Sequence, residues 1–76
     1  MKELIEFMAR GLVDDRDAVA VAEIRDGRQA VYELRVGEGE TGRVIGREGK
    51  VANAMRVLVR IAGEKTGERR ANLEIV

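Results

Sequence analysis

From residue 29 to residue 36 the chain sets Ala30, Tyr32, Leu34 and Val36 alternately against Val31, Glu33 and Arg35, the period of two that marks a strand with one buried face. Asp26-Gly27 stands just before this run and has the composition of a tight hairpin turn. A first strand is therefore expected upstream, where Val19, Val21 and Ile24 supply β-favouring side chains. The step from Val21 to Ile24 breaks the period of two, which predicts a bulge beside the turn or leaves the strand end undefined.

On either side of this hairpin the pattern is helical. Residues 2–12 place Leu4, Ile5, Met8, Ala9 and Leu12 on one side and Glu3, Glu6 and Arg10 on the other, with Gly11 weakening the end. From residue 50 to residue 62, Val51, Ala54, Met55, Leu58, Ile61 and Ala62 line one side and Asn53, Arg56 and Arg60 the other; Gly63 and Gly67 are expected to stop this helix. Between hairpin and helix, Gly37, Gly39 and Gly42 open a flexible connection in which Thr41 is expected to cap a short helical turn through Arg43, Val44 and Ile45. Residues 71–76 alternate Leu73 and Ile75 against Asn72 and Glu74, a last strand.

The expected class is thus α+β, in the order α-β-β-α-α-β. The two helices between the second and third strands make a crossover long enough to lay those strands parallel, giving a three-stranded mixed sheet with helices packed on one face. With 76 residues the chain has room for one domain. A domain of that size buries only about 60% of the surface its unfolded chain exposes, so a partner subunit would add useful burial.

Composition removes most chemistries. Without cysteine or histidine there are no disulfides, no thiolate zinc sites and no Cys or His nucleophile systems. Asp14, Asp15 and Asp17 imitate a hard-metal cluster, but they lack the glycine and terminal glutamate of a calcium loop and read better as a turn and helix-end cluster. Lys2, Glu3, Glu6 and Arg10 interrupt the N-terminal apolar residues, so no signal peptide is expected there, nor does any apolar run approach the length of about 18 residues of a membrane span. A cytoplasmic protein is the expectation. Fourteen basic and fourteen acidic residues cancel, which argues mildly against bulk nucleic-acid binding. Yet residues 1–40 hold 6 basic and 10 acidic side chains, net −4, and residues 41–76 hold 8 and 4, net +4. Either this is the chance division of a solvated surface, or an anionic ligand meets the C-terminal half.

The stretch Gly42-Arg43-Val44-Ile45-Gly46-Arg47-Glu48-Gly49-Lys50 falls between the two crossover helices. Two glycines three apart let the backbone turn sharply and, lacking Cβ atoms, admit a sugar-phosphate chain at close range. Unpaired N–H groups in the loop and at the head of the next helix, with the helix dipole, suit an anion. Arg47 and Lys50 add charge-assisted contacts to phosphate, with Arg43 farther off. Glu48 opposes them by repulsion, although it favours the dipole of the next helix, and salt screens it over about 8 Å when it points to solvent. Without a ligand in view, the same residues make a plain turn whose glycines serve as a helix cap and a bend.

An apolar Val44-Ile45 pair, then Gly46-Arg47-Glu48-Gly49, then a basic Lys50 resembles the signature of the KH family, and the element order resembles the type II topology of bacterial KH domains. The likeness extends over essentially the whole chain, to Leu73-Glu74-Ile75-Val76. Nine glycines make a bare Gly-x-x-Gly easy by accident; its position between two short-linked helices, after a hairpin and before a last strand, carries the resemblance. That resemblance implies a single KH domain over residues 1–76, with no catalytic residue, metal or cofactor. Its partner would be single-stranded RNA, with the loop clamping the backbone of about four nucleotides while bases lie on an aliphatic floor. Val44, Ile45 and Val51 match the floor, two of the three equally well being plain core. Asn53, one turn after Lys50, is placed to reach a base edge or phosphate or to be merely solvated. The candidate RNA-binding set is Arg43, Val44, Ile45, Gly46, Arg47, Glu48, Gly49, Lys50, Val51 and Asn53. Phe7 and Tyr32 are the only aromatic residues, so no base-stacking platform is expected.

The long helix carries more apolar surface than docking requires. At 100° per residue, its apolar side chains from Val51 to Ala62 fill an arc of roughly 220°, against a stripe of about 100° that suffices to pack on a core. The excess, chiefly Val57 and Val59, reads either as isolated exposed valines or, with Leu58 and Ile61, as a dimer or partner contact. The resemblance favours the contact, since small stand-alone bacterial KH proteins pair with themselves and with a larger KH-containing protein, and it suggests links to cell-envelope growth and division. Two readings of function stand: an RNA chaperone or post-transcriptional regulator that acts by binding, and a dimerising module that recruits a larger KH partner and touches RNA little. A helix-turn-helix DNA reader built on Gly46 and Gly49 fits the hairpin and last strand less well.

Overall fold

A computed structural model describes residues 1–27, 29–67 and 70–76 of the chain. Helix α1 covers Lys2–Arg10 and turns its buried residues, Ile5 and Ala9, inward. It ends earlier than expected because Gly11 and Leu12 continue only as a turn, their N–H groups bonded back to Phe7, Met8 and Ala9 carbonyls at 3.0–3.2 Å. A short 3-10 turn, Arg16–Ala18, leads into strand β1, Ala20–Asp26. Strand β2, Gln29–Arg35, returns antiparallel to it, and Gly27 takes the positive φ of +64° that a tight hairpin demands.

Among the described residues the hairpin has no bulge. Every pair from Ala20 opposite Arg35 to Asp26 opposite Gln29 is in step. The break in the alternation arises because Ile24 lies on the face opposite to Val21, where it is exposed beside Val31. β2 alternates as expected, with Ala30, Tyr32 and Leu34 buried.

The crossover consists of α2 (Thr41–Ile45), a 3-10 turn at Arg47–Gly49 and α3 (Lys50–Lys65); it delivers β3, Arg70–Ile75, parallel to β2. The sheet order is β1-β2-β3. On one face Val21, Leu34, Tyr32 and Leu73 meet Ile5, Val44, Met55 and Val59 from the helices in a single core, while Ala22, Ile24, Glu33, Asn72 and Glu74 on the other are partly or fully open. This is the expected α+β architecture with a mixed sheet and helices on one face. Each fully buried Ile, Leu or Val in that core contributes about 1.5–3 kcal/mol. No helix among the described residues is long and apolar enough to cross a membrane.

Two details of the crossover differ from expectation. Thr41 does not cap α2; Glu40 occupies the N-cap position. Gly63 does not end α3: it lies buried inside the helix, which runs on to Lys65. A glycine within a helix costs about 1 kcal/mol against alanine, a cost this helix carries inside its last turns. Thr66 closes the helix instead, its hydroxyl donating to the carbonyls of Ala62 and Gly63 at 3.2 Å, and Gly67 follows with φ +84°.

The docking face of α3 is also rotated from the expected one. Ala52, Met55, Val59 and Gly63 are buried, whereas Leu58 and Ile61, placed by periodicity on the apolar side and named as well for the partner contact, are 49% and 46% exposed. Val59, assigned to the protein contact, is wholly buried. The rotation is roughly 100°, one residue's worth of helical turn. An apolar arc twice as wide as docking needs cannot by itself say which part of it docks.

Candidate nucleic-acid interface

Two glycines build the turn between α2 and α3 for different reasons. Gly46 has φ +75°, and a Cβ added there would lie 2.4 Å from Cγ2 of Val51. Gly49 has φ +76° but faces open space, with nothing within 4 Å. The first needs glycine for both conformation and contact, the second for conformation alone. Between them Glu48 also takes a left-handed conformation, φ 57° and ψ 24°, which is uncommon for a residue with a side chain. Gly46 N–H donates to the Gly42 carbonyl at 2.9 Å and Gly49 N–H to the Gly46 carbonyl at 3.2 Å, closing the turn on itself.

No side chain among the described residues caps the Arg47–Gly49 turn or the start of α3. The first amides of a helix have no intrahelical acceptor, and here they stand beside Arg47 and Lys50, both exposed. The Lys50 N–H, like that of Gly49, turns back onto the loop, to the Arg47 carbonyl, so positive charge and a bare glycine backbone meet at an end of α3 that no side chain caps, an arrangement that suits a phosphate. Glu48, also exposed, adds one opposing charge.

Of the expected floor residues, Val44 is wholly buried and Ile45 is 37% exposed, while Val51 is half-buried against Gly46. Val44 supports the turn from beneath and has no surface to offer a base; only Ile45 and the edge of Val51 remain for that role. Arg43 is engaged with Asp14 at 3.2 Å. Asn53 lies outside the loop, on α3, and its Oδ1 accepts from Arg56 Nη1 at 3.2 Å.

From Asn53 a polar track continues that the sequence reading left to solvent. Arg56 Nε donates to the Leu73 carbonyl at 3.2 Å, so this arginine spans from α3 to β3. Arg56, Arg60, Asn72 and Glu74 flank a groove of about 350 Å³ between that helix and the strand. The signal was present: Asn53, Arg56 and Arg60 are spaced i, i+3, i+7, one side of a helix that starts at the loop. What the sequence lacked was the position of β3 beside that side.

The acidic residues after α1 are tied to the same region. The Glu40 carboxylate accepts the backbone N–H of Asp14 at 2.6 Å and of Asp15 at 2.9 Å. These two amides, the Asp14 one first, hold the Glu40 carboxyl below the usual carboxylate range, with Arg43 adding to the effect.

A mixed three-stranded sheet, helices on one face and a Gly-x-x-Gly turn between the last two of them define a KH domain of α-β-β-α-α-β order. Its family model, described as KhpA/KhpB, KH domain, matches residues 2–75, and the chain belongs to that family, whose members work by binding and not by catalysis. Among the proteins it resembles is RNA-binding protein KhpA of Caldanaerobacter subterraneus, 41% identical over 76 residues and covering all of both chains. RNA-binding protein KhpA of Halalkalibacterium halodurans is 42% identical over 76 residues, spanning 100% of this chain and 99% of that protein. That of Aquifex aeolicus is 42% identical over 69 residues, 91% of this chain and 87% of the other. No solved structure gives a significant match.

Proposed function

We propose that the chain binds single-stranded RNA, the loop Gly46-Arg47-Glu48-Gly49 gripping the sugar-phosphate backbone, and that it acts as an RNA chaperone or post-transcriptional regulator. The observation that carries this reading is the turn itself: two left-handed glycines and uncapped amides beside Arg47 and Lys50. The names of the relatives support the ligand class. From the loop, where Ile45 offers apolar contact, the RNA strand runs along the groove between α3 and β3, where Arg56, Arg60 and Asn72 meet phosphates or base edges.

Gly49→Asp tests this directly. A Cβ at this position meets nothing within 4 Å, so the carboxylate enters at the grip at the cost of backbone strain alone, whereas a Cβ at Gly46 would strike Val51. Affinity for a labelled single strand is expected to fall about tenfold or more through loss of charge-assisted contacts. Unchanged binding by the folded variant would remove the loop from the site.

A second reading rests on the exposed stripe of α3, where Val57, Leu58 and Ile61 are 46–49% open to solvent. We read it as the surface by which the chain pairs with a second copy or with a larger KH-containing protein; a family named for both KhpA and KhpB supports such a partnership. Joining two grooves raises the effective concentration of the second contact on one RNA. Leu58→Glu is expected to leave the fold intact and abolish self-association in sedimentation; a variant that still pairs would place the contact elsewhere.

A further inference from the structure

The loop sits at the end of a helix too short to hold its own position. α2 has five residues and one buried side chain, Val44, and helices far longer than that are marginal without tertiary contacts. At its C-terminal end it is fixed by the close approach of Gly46 to Val51. At its N-terminal end Glu40 holds two amides of the α1–β1 connection, at 2.6 and 2.9 Å. One turn on, Arg43 pairs with the Asp14 side chain at 3.2 Å. Gly37 lets the ring close: its carbonyl accepts Glu40 N–H at 3.0 Å, and a Cβ on it would come within 3.2 Å of Glu40 Oε1 and 3.4 Å of Asp15.

The N-cap of α2 and a residue of its first turn thus engage one dipeptide, twenty-five and more positions away in the chain, with a carboxylate on its backbone and a guanidinium on its side chain. We propose that Glu40 and Arg43 form a clasp on Asp14-Asp15 that presets α2, and with it the Gly46–Gly49 loop, for the RNA backbone. This assigns Arg43 as a positioning residue and not a phosphate contact, and gives the acidic cluster a role in binding RNA that its charge alone would oppose. The proposal rests on the RNA-binding reading above. Preorganisation of this kind acts by sparing the ligand the cost of ordering the site.

The experiment compares wild type with Glu40→Ala, Glu40→Gln and Arg43→Ala by hydrogen exchange of the loop amides in the free protein and by RNA affinity across a salt series. Glu40→Ala is expected to speed exchange at Gly46 and Gly49 and to weaken RNA binding about three- to tenfold, the worth of about one ordinary hydrogen bond, since both contacts are exposed. Glu40→Gln, which keeps one acceptor, is expected to fall between. Arg43→Ala is expected to weaken binding with the salt slope nearly unchanged, the screening of one exposed ion pair being a small part of it. Loss of a phosphate contact would instead lower the slope of log affinity against log salt by about 0.7, and that result would overturn the assignment of Arg43. Loop exchange unchanged in Glu40→Ala would overturn the clasp whether or not RNA binds. Absence of RNA binding by wild type, with loop exchange still faster in the variant, would count against the RNA reading and so against this role in it, while leaving the contact as a structural tie.

Discussion

Gly42, Gly46 and Gly49 lie within eight residues of one another, and their surroundings assign each a different substitution cost. Gly46→Ala combines a left-handed backbone with a Cβ 2.4 Å from Val51, and is expected to destabilise by about 2 kcal/mol or more. Gly49→Ala carries only the backbone term, roughly 1 kcal/mol. Gly42, helical and with nothing within 4 Å, gains from alanine, about 0.5–1 kcal/mol. Urea denaturation of the three variants checks that order, and a Gly42→Ala less stable than wild type would contradict it. Glu48, left-handed and anionic beside Arg47 and Lys50, is the residue least suited to its place. Glu48→Asn is expected to keep the turn, since asparagine tolerates that conformation better, and to tighten RNA binding about threefold by removing a repulsion of surface-pair size. The glycine spacing made this loop legible in the sequence. The burial of Val44 and the engagement of Arg43 were not, because both depend on chain segments that local pattern does not see.

At the scale of elements, the strands were easier to read than the long helix. Alternation in β2 leaves one assignment of faces, whereas the apolar arc of α3 admits several rotations. The rotation found puts Val59 in the core and Val57 outside it. Val59→Ala is accordingly expected to cost about 2 kcal/mol of stability, and Val57→Ala to stay within about 0.5 kcal/mol of wild type; thermal denaturation of the pair tests the rotation. The α2 clasp carries a pH signature. Because hydrogen bonds from Asp14 and Asp15 lower the folded-state pKa of Glu40 from 4.5, its stabilisation is fully present above that value and is lost as pH falls through the lowered one. Wild type should lose stability in acid more steeply than Glu40→Gln. Glu3 is lowered too, by its own backbone N–H and then the N-terminal ammonium, so the variant keeps part of the slope. Identical acid profiles would show that the Glu40 contact does not persist in solution.

Across the whole molecule, a net charge of zero hides the division that matters. The element order, parallel crossover and sheet face followed from periodicity and connection lengths, since few topologies satisfy both. The groove between α3 and β3 did not, because it is formed by residues brought together only when the sheet closes. Its arginines and the loop cations share the C-terminal half of the chain, while the acidic residues after α1 are partly occupied in holding α2. A molecule arranged in this way should bind a single strand electrostatically despite its neutrality. The decisive measurement is affinity for a labelled single-stranded RNA at two salt concentrations, for wild type and for folded Gly49→Asp. Wild-type affinity falling with salt by a log–log slope of at least about −1.4, two phosphate contacts' worth, and lost in the variant, is the predicted result; salt-indifferent binding, or binding equal in both proteins, would contradict it.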